Sequence, residues 1–279
     1  MIVIVNRLAI YAVSLLILFL GEAFLTGHSV AHAQRGTRSS FLDNLGQGLS
    51  KKADERYQDR WTLTDWFETQ RRARLQDMWL AGNTKKSSLY EFMIGGRYGS
   101  RTTRLDGVEQ SGRPYAIQGM ASAYATLVGL EGSYVDLQGE NSQGGSWGWD
   151  GHFAFRPFGD SLQNTGLTLL YGVQYRNDPS AGVLESVQNQ SAKARFTLYL
   201  TRAFGIEGQY QKLFKEQADS RAATAVEIEG ASVEGTVFID FSLLRISGTW
   251  TQETRSREVL GVKTERVRES VDVGLKLFF

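Results

Sequence analysis

The stretch Val267-Arg268-Glu269-Ser270-Val271-Asp272-Val273-Gly274-Leu275-Lys276-Leu277-Phe278-Phe279 decides the fold class. Val267, Val271, Val273, Leu275, Leu277 and Phe279 share one parity, and Arg268, Ser270, Asp272 and Lys276 share the other. A period of two puts these sets on opposite faces of a strand, whereas a helix would mix them. The pattern recurs in Tyr90, Phe92, Ile94, Gly96 and Tyr98 against Glu91, Met93, Gly95 and Arg97. It returns in Leu167, Leu169, Tyr171, Val173 and Tyr175, and again in Ala192, Ala194, Phe196, Leu198 and Leu200. Residues 89–279 therefore read as strands with one apolar and one polar face.

A weak repeat sets the strand count. Gly129-Leu130-Glu131-Gly132-Ser133-Tyr134, Gly205-Ile206-Glu207-Gly208-Gln209-Tyr210 and Arg245-Ile246-Ser247-Gly248-Thr249-Trp250 each follow an alternating strand after a short bridge, as return strands of hairpins do. Longer polar segments, 136–146, 177–190, 215–227 and 255–264, read as water-facing loops. Short turns at one end and long loops at the other describe an up-and-down meander of about ten strands. The spans expected are 89–101, 114–124, 129–138, 146–157, 166–176, 191–201, 205–214, 229–240, 245–255 and 265–279. Each is close to the roughly 9 to 11 residues that cross a bilayer when tilted.

Alternation alone leaves two all-β readings open: a soluble secreted barrel or sandwich with its apolar face inside, and a closed antiparallel transmembrane β-barrel with that face outside. Tyr98, Tyr115, Tyr134, Trp147, Trp149, Tyr175, Tyr210 and Trp250 collect toward the long-loop ends, as a membrane girdle would. On the other face stand Glu91, Glu131, Asp150, Glu207, Glu234, Asp240 and Asp272, with Arg97, Arg156, Arg195, Arg245 and Arg268. Inside a closed barrel such charges form a lumen network and satisfy one another.

The final residues also resemble the C-terminal sorting signal of bacterial outer-membrane β-barrel proteins: a polar residue, Gly two later, then alternating hydrophobics ending in Phe. Asp272, Gly274, Leu277 and Phe279 occupy those positions in turn. The resemblance covers about 89–279. It implies a Gram-negative outer-membrane location, contact with outer-membrane lipid, and recognition of the last strand by the barrel-assembly machinery.

The remainder of the chain reads differently. Residues 1–33 have the form of a secretory signal peptide: Arg7, an apolar run from Leu8 to Leu20, and the cleavage pattern Ala31-His32-Ala33. A membrane anchor competes, but the run is shorter than the roughly 20 residues a spanning helix needs. Residues 34–88 are polar and basic, and read as a periplasmic region outside the barrel. Thr62 and Asp65 have capping-box spacing, and helix formers then run to Gly82, which predicts a helix near 63–81. Trp61, Trp66 and Trp79 beside Arg71, Arg72 and Arg74 suit a lipid headgroup boundary or the mouth of the barrel.

With 279 residues, no Cys and a formal charge of +1, the chain cannot hold a thiolate site and has no global field for nucleic acid. No metal-ligand cluster, HExxH or nucleotide-binding glycine motif is found, so neither metal nor cofactor is expected. Ten strands stand close to the size that side chains alone fill, which predicts a plugged lumen. The expected function is a structural or surface-recognition barrel and no enzyme, with long loops such as 101–112 and 215–227 facing an unknown extracellular partner. A narrow small-solute channel is the alternative. A second alternative is a membrane hydrolase or acyltransferase using His152 and Ser133, if the third and fourth strands pair about residues 142–143 and place Ser133 opposite His152, with Glu131 two residues below.

Overall fold

A computed structural model describes residues 56–57, 60–65, 90–109, 114–138, 146–159, 161–180, 183–220 and 226–279, without the side chains of 178–180, 183–185 and 218–220. Residues 1–33, expected as a signal peptide, and most of 34–88 lie outside the described residues. The strands are β1 (Tyr90–Leu105), β2 (Val108–Glu109), β3 (Tyr115–Ala125), β4 (Val128–Gln138), β5 (Ser146–Phe158), β6 (Gly166–Ser180), β7 (Val183–Tyr199), β8 (Phe204–Ser220), β9 (Val226–Phe241), β10 (Leu244–Val259) and β11 (Val262–Phe278). Of these eleven, the two-residue β2 pairs with the end of β1, which leaves ten in the ring. Consecutive ring strands are antiparallel neighbours, and β11 returns to β1 from Met93↔Phe278 to Leu105↔Arg266. Reciprocal Phe92–Phe279 backbone bonds, 3.2 and 2.9 Å, extend the seam. The closed ladder leaves neither edge of the sheet unpaired.

Each of the ten expected spans falls on one strand of the ring. The strands nevertheless run further than the sequence suggests. Most of 177–190, 215–227 and 255–264, expected as loops, is strand: β6 reaches Ser180 and β7 starts at Val183, β8 reaches Ser220, and β10 and β11 meet at a two-residue turn. That turn is Leu260-Gly261, with φ of 51° and 79°, the left-handed pair a tight hairpin requires. In the β10–β11 extension both faces are largely polar, so side-chain alternation fades while the backbone ladder continues; on β7 and β9 Val187, Val226 and Ile228 stay buried on the inner face.

The lower rim carries the start of β1, Phe279 and the turns at 126–127, 159–165, 200–203 and 242–243; the upper rim carries the other connections. Side chains sort by parity. Val271 and Val273 are each 64% exposed on the outer face, while Arg268, Asp272 and Lys276 beside them are buried inside. All eight expected girdle aromatics point outward, and Trp147, Trp149 and Tyr175 are in contact at 5.3 and 6.0 Å between ring centroids. A second aromatic set, Tyr90, Phe92, Phe155, Phe204 and Phe241, stands exposed near the lower rim, and the sequence reading had not grouped it. Two aromatic bands bracketing Leu169, Phe196, Ile206, Val237, Val271 and Val273 give an outer surface suited to a hydrocarbon slab between two interfaces.

Charging that surface should be costly only in lipid. Val273→Arg is expected to destabilise the barrel by about 2–4 kcal/mol when refolded into vesicles. A urea titration checks this, and a change within about 0.5 kcal/mol, as at an ordinary water-facing site, would contradict it.

Candidate functional site

Strand parity brings every expected network residue to the inside of the ring. Glu91 pairs with Arg156 at 3.2 Å, Arg97 with Glu234 at 2.8 Å, and Arg245 with Asp240 at 2.6 Å. Glu131 binds Arg195 and receives the Tyr124 hydroxyl. Glu207 lies 3.6 Å from Lys276, Asp150 lies 3.4 Å from Lys193, and Arg268 lies 4.0 Å from Glu253. Asp272 accepts from Ser270 Oγ at 2.9 Å. Lys193, Glu253 and Lys276 were not recognised as partners, although each shares the inward parity of its strand. Breaking such a pair leaves an uncompensated ion in a dry interior, which typically costs about 3–5 kcal/mol.

Of the residues expected to form an assembly signal, Asp272 and Gly274 face the lumen, Leu277 pairs with Ile94 and Leu244, and Phe279 lies in the seam.

The lower mouth is filled by chain from outside the ring. Arg60 reaches Asp240 at 3.3 Å, with side chains 1% and 0% exposed. It donates Nε to the Gln163 carbonyl at 2.9 Å and Nη1 to the Arg202 carbonyl, and its guanidinium lies 4.4 Å from the Tyr199 ring centroid. Trp61 N donates to Asn164 Oδ1 at 2.7 Å, and Thr62 forms an isolated parallel bridge with Tyr199. Arg56 spans the seam, donating to the Phe279 carbonyl at 3.0 Å with Glu91 at 3.9 Å. Thr62 and Asp65 form the expected reciprocal cap, Thr62 N to Asp65 Oδ2 at 3.0 Å and Asp65 N to Thr62 Oγ1 at 3.2 Å, and open a helical turn at 63–65. Residues 66–81 of the expected helix lie outside the described residues. The loop at 159–165 folds in beside this segment, with Ser161 Oγ and Leu162 N donating to Glu91 at 2.5 and 3.1 Å. Above it remains a cavity of about 30 Å³, whose lining includes Arg195, Glu207, Arg245 and Lys276. That is room for about one water.

The His152 site differs from the expectation. Glu131 stands opposite His152 and Ser133 opposite Asp150, so the β4–β5 register is two residues from the one that would juxtapose Ser133 and His152. Ser133 instead donates to Asp150 at 2.8 Å. His152 Nε2 meets Ser191 Oγ of β7 at 2.7 Å, and its Nδ1 lies 3.4 Å from Asp150 Oδ1. This is an acid–imidazole–hydroxyl sequence, but Ser191 is 0% exposed. Among the described residues no group of three His, Asp or Glu could hold a metal ion.

No protein-family profile matches the chain, and no curated protein matches it. Among solved structures it is similar to the outer membrane protease OmpT of Escherichia coli, with 10% identity, 71% of this chain and 100% of that one covered, and a TM-score of 0.47. It is also similar to Ail, the attachment invasion locus protein of Yersinia pestis, with 10% identity, 68% and 100% coverage, and a TM-score of 0.28. A third is the outer membrane protein OprG of Pseudomonas aeruginosa, with 12% identity, 69% and 97% coverage, and a TM-score of 0.26.

Asp240 binds both Arg60 and Arg245, so its loss removes the nearest carboxylate of two guanidiniums, whereas loss of Arg60 leaves Asp240 with Arg245 and the Tyr199 hydroxyl. Asp240→Ala is expected to destabilise the full chain by about 3–5 kcal/mol and Arg60→Ala by about 1.5–3 kcal/mol. Urea unfolding followed by tryptophan fluorescence checks the order; equal effects would mean Arg60 does not share the carboxylate.

Proposed function

We propose that the protein is an integral outer-membrane barrel with a sealed lumen, which acts as a surface-recognition element through its upper strand extensions and loops. The observation that carries this reading is the lumen itself: the ion pairs Arg97–Glu234 and Arg195–Glu131 cross it, and Arg60 closes its lower mouth. The apolar outer face, bounded by two aromatic bands, supports contact with outer-membrane lipid. On this reading the lower rim faces the periplasm, residues 1–33 are removed on export, and Asp272, Gly274, Leu277 and Phe279 serve as the signal to the assembly machinery.

The upper extensions are built to stand in water. Outward ion pairs such as Lys215–Glu227 at 2.6 Å and Lys263–Glu229 at 3.2 Å lie above the apolar belt. Exposed pairs of this kind add little stability, so their use is to keep the projecting strands hydrated and available to a partner. Shortening the β8–β9 extension should reduce cell-surface adhesion or partner capture while leaving the barrel folded. Unchanged capture after each upper connection is shortened in turn would overturn the recognition reading.

A sealed lumen conducts poorly. Full-length protein in a planar bilayer is expected to show no large steady conductance, and stable open channels would favour the small-solute channel instead. The reading also excludes chemistry at His152, because a buried Ser191 hydroxyl offers no approach to an ester or peptide. Incubation with a fluorophosphonate probe should leave the protein unlabelled; labelling lost in Ser191→Ala would establish the hydrolase reading.

A further inference from the structure

The charge pattern of the lumen changes above Asp150. Lower down, Arg97, Arg156, Lys193, Arg195, Arg245 and Lys276 each have a carboxylate within 4 Å. In the upper part Glu253 already accepts Arg255 Nε at 2.7 Å and has Arg268 Nη1 at 4.0 Å. Arg255 turns Nη2 to Gln174 Oε1 at 3.1 Å. Arg176 enters this space from β6 with Glu253, Arg255, Arg101 and, more weakly, Asp150 as its charged neighbours. Its Nε and Nη1 are buried, and neither donates a hydrogen bond among the described residues. A buried guanidinium without acceptors is costly, and neighbouring cations add to that cost.

The backbone leaves room for Arg176 in this position. Gly148 lies opposite it in β5, and a Cβ there would come 2.5 Å from Arg176 Cδ, 2.5 Å from the Tyr175 carbonyl oxygen and 3.0 Å from Arg176 Nη1. The arginine side chain therefore lies against bare backbone, in a space that any other residue at 148 would occupy. Arg176 shares the inward parity of Thr168, Leu170 and Gln174, whereas Leu169 and Tyr171 face outward.

We propose that Arg176, with Arg255 beside it, forms an oxyanion-binding site reached from the upper mouth, which takes a soluble ligand bearing sulfate, carboxylate or phosphate groups. The planar guanidinium supplies parallel N–H donors that match two oxygens of one such group. The inward direction of Arg176 places the site away from the lipid phosphates of the surrounding membrane. This deepens the recognition reading and rests on it for the side from which the ligand arrives.

The test uses full-length protein refolded in a zwitterionic detergent and titrated calorimetrically with inorganic sulfate, with dextran sulfate and, separately, with lipopolysaccharide. Arg176→Gln and Arg176→Lys, the second keeping the charge but not the planar fork, are compared with the wild type, with circular dichroism and heat-modifiable gel mobility reporting the fold. Both sulfate probes should bind the wild type, more weakly as ionic strength rises, and each variant should lose roughly tenfold in affinity. Lipopolysaccharide binding should be the same in all three proteins. Absent sulfate binding, or equal affinity in wild type and variants, would overturn the site; if Arg176→Gln does not refold, Arg176→Lys decides by the same criterion. A lipopolysaccharide response lost in the variants would overturn the soluble source. Adhesion after loop shortening is read independently, so failure of the recognition reading is distinguishable from failure of the site.

Discussion

A closed β-ladder satisfies every strand's backbone but leaves its inward side chains to satisfy one another, and that requirement governs the interior of this protein. An inward carboxylate in a narrow lumen has little water, so its partner must come from a neighbouring strand, from across the ring, or from another part of the chain. All three solutions occur. Asp240 is met by Arg245 of the adjacent strand, Glu131 by Arg195 across three intervening strand pairings, and both Asp240 and Glu91 by arginines from the segment at 56–65. Because each cation serves a fixed acceptor, the pairs constrain register as well as charge.

This requirement explains why the lower mouth is closed by arginine. Arg156 and Arg245 are committed to Glu91 and Asp240, yet Glu91 also accepts from Ser161 and Leu162, and Asp240 from the Tyr199 hydroxyl. Carboxylates can accept several donors at once, so this rim has capacity for further cations. Arg60 uses it, and its flat guanidinium also stacks on Tyr199. A lysine could offer a point charge to Asp240 but could not reach the Gln163 and Arg202 carbonyls at the same time through a planar fork.

The ring and the direction of its side chains were legible in the sequence because parity is a local property. Once Val271 and Val273 share a face, Asp272 must occupy the other, whatever the rest of the chain does. Register is not local. Placing Ser133 against His152 required the length and shape of the connection after Gln138, and a two-residue difference there preserves parity while exchanging Ser133 for Glu131 as the neighbour of His152. Strand ends were obscured for a related reason: in the β10–β11 extension both faces are hydrated, and only the backbone ladder and the left-handed Leu260-Gly261 turn define the element. The docking of Arg60 depends on Gln163, Arg202 and Asp240, which converge only after the ring closes, so no spacing in the sequence announces it.

The two ends of the lumen meet the same constraint differently. At the lower rim carboxylates hold spare acceptor capacity, and a segment of the same chain brings the donors. At the level of Glu253, Arg255 already holds the carboxylate, and Arg176 keeps Nε and Nη1 without an acceptor among the described residues. Gly148 admits this arginine by presenting no side chain, at a position where a Cβ would meet the Tyr175 carbonyl as well as Arg176. Relieving an unpaired guanidinium with an apolar residue would be the simpler route to stability, since buried ions seldom outperform a well-packed core. An arginine kept beside other cations, over a glycine that leaves room for it, is better explained by an acceptor that comes and goes than by the stability of the empty barrel.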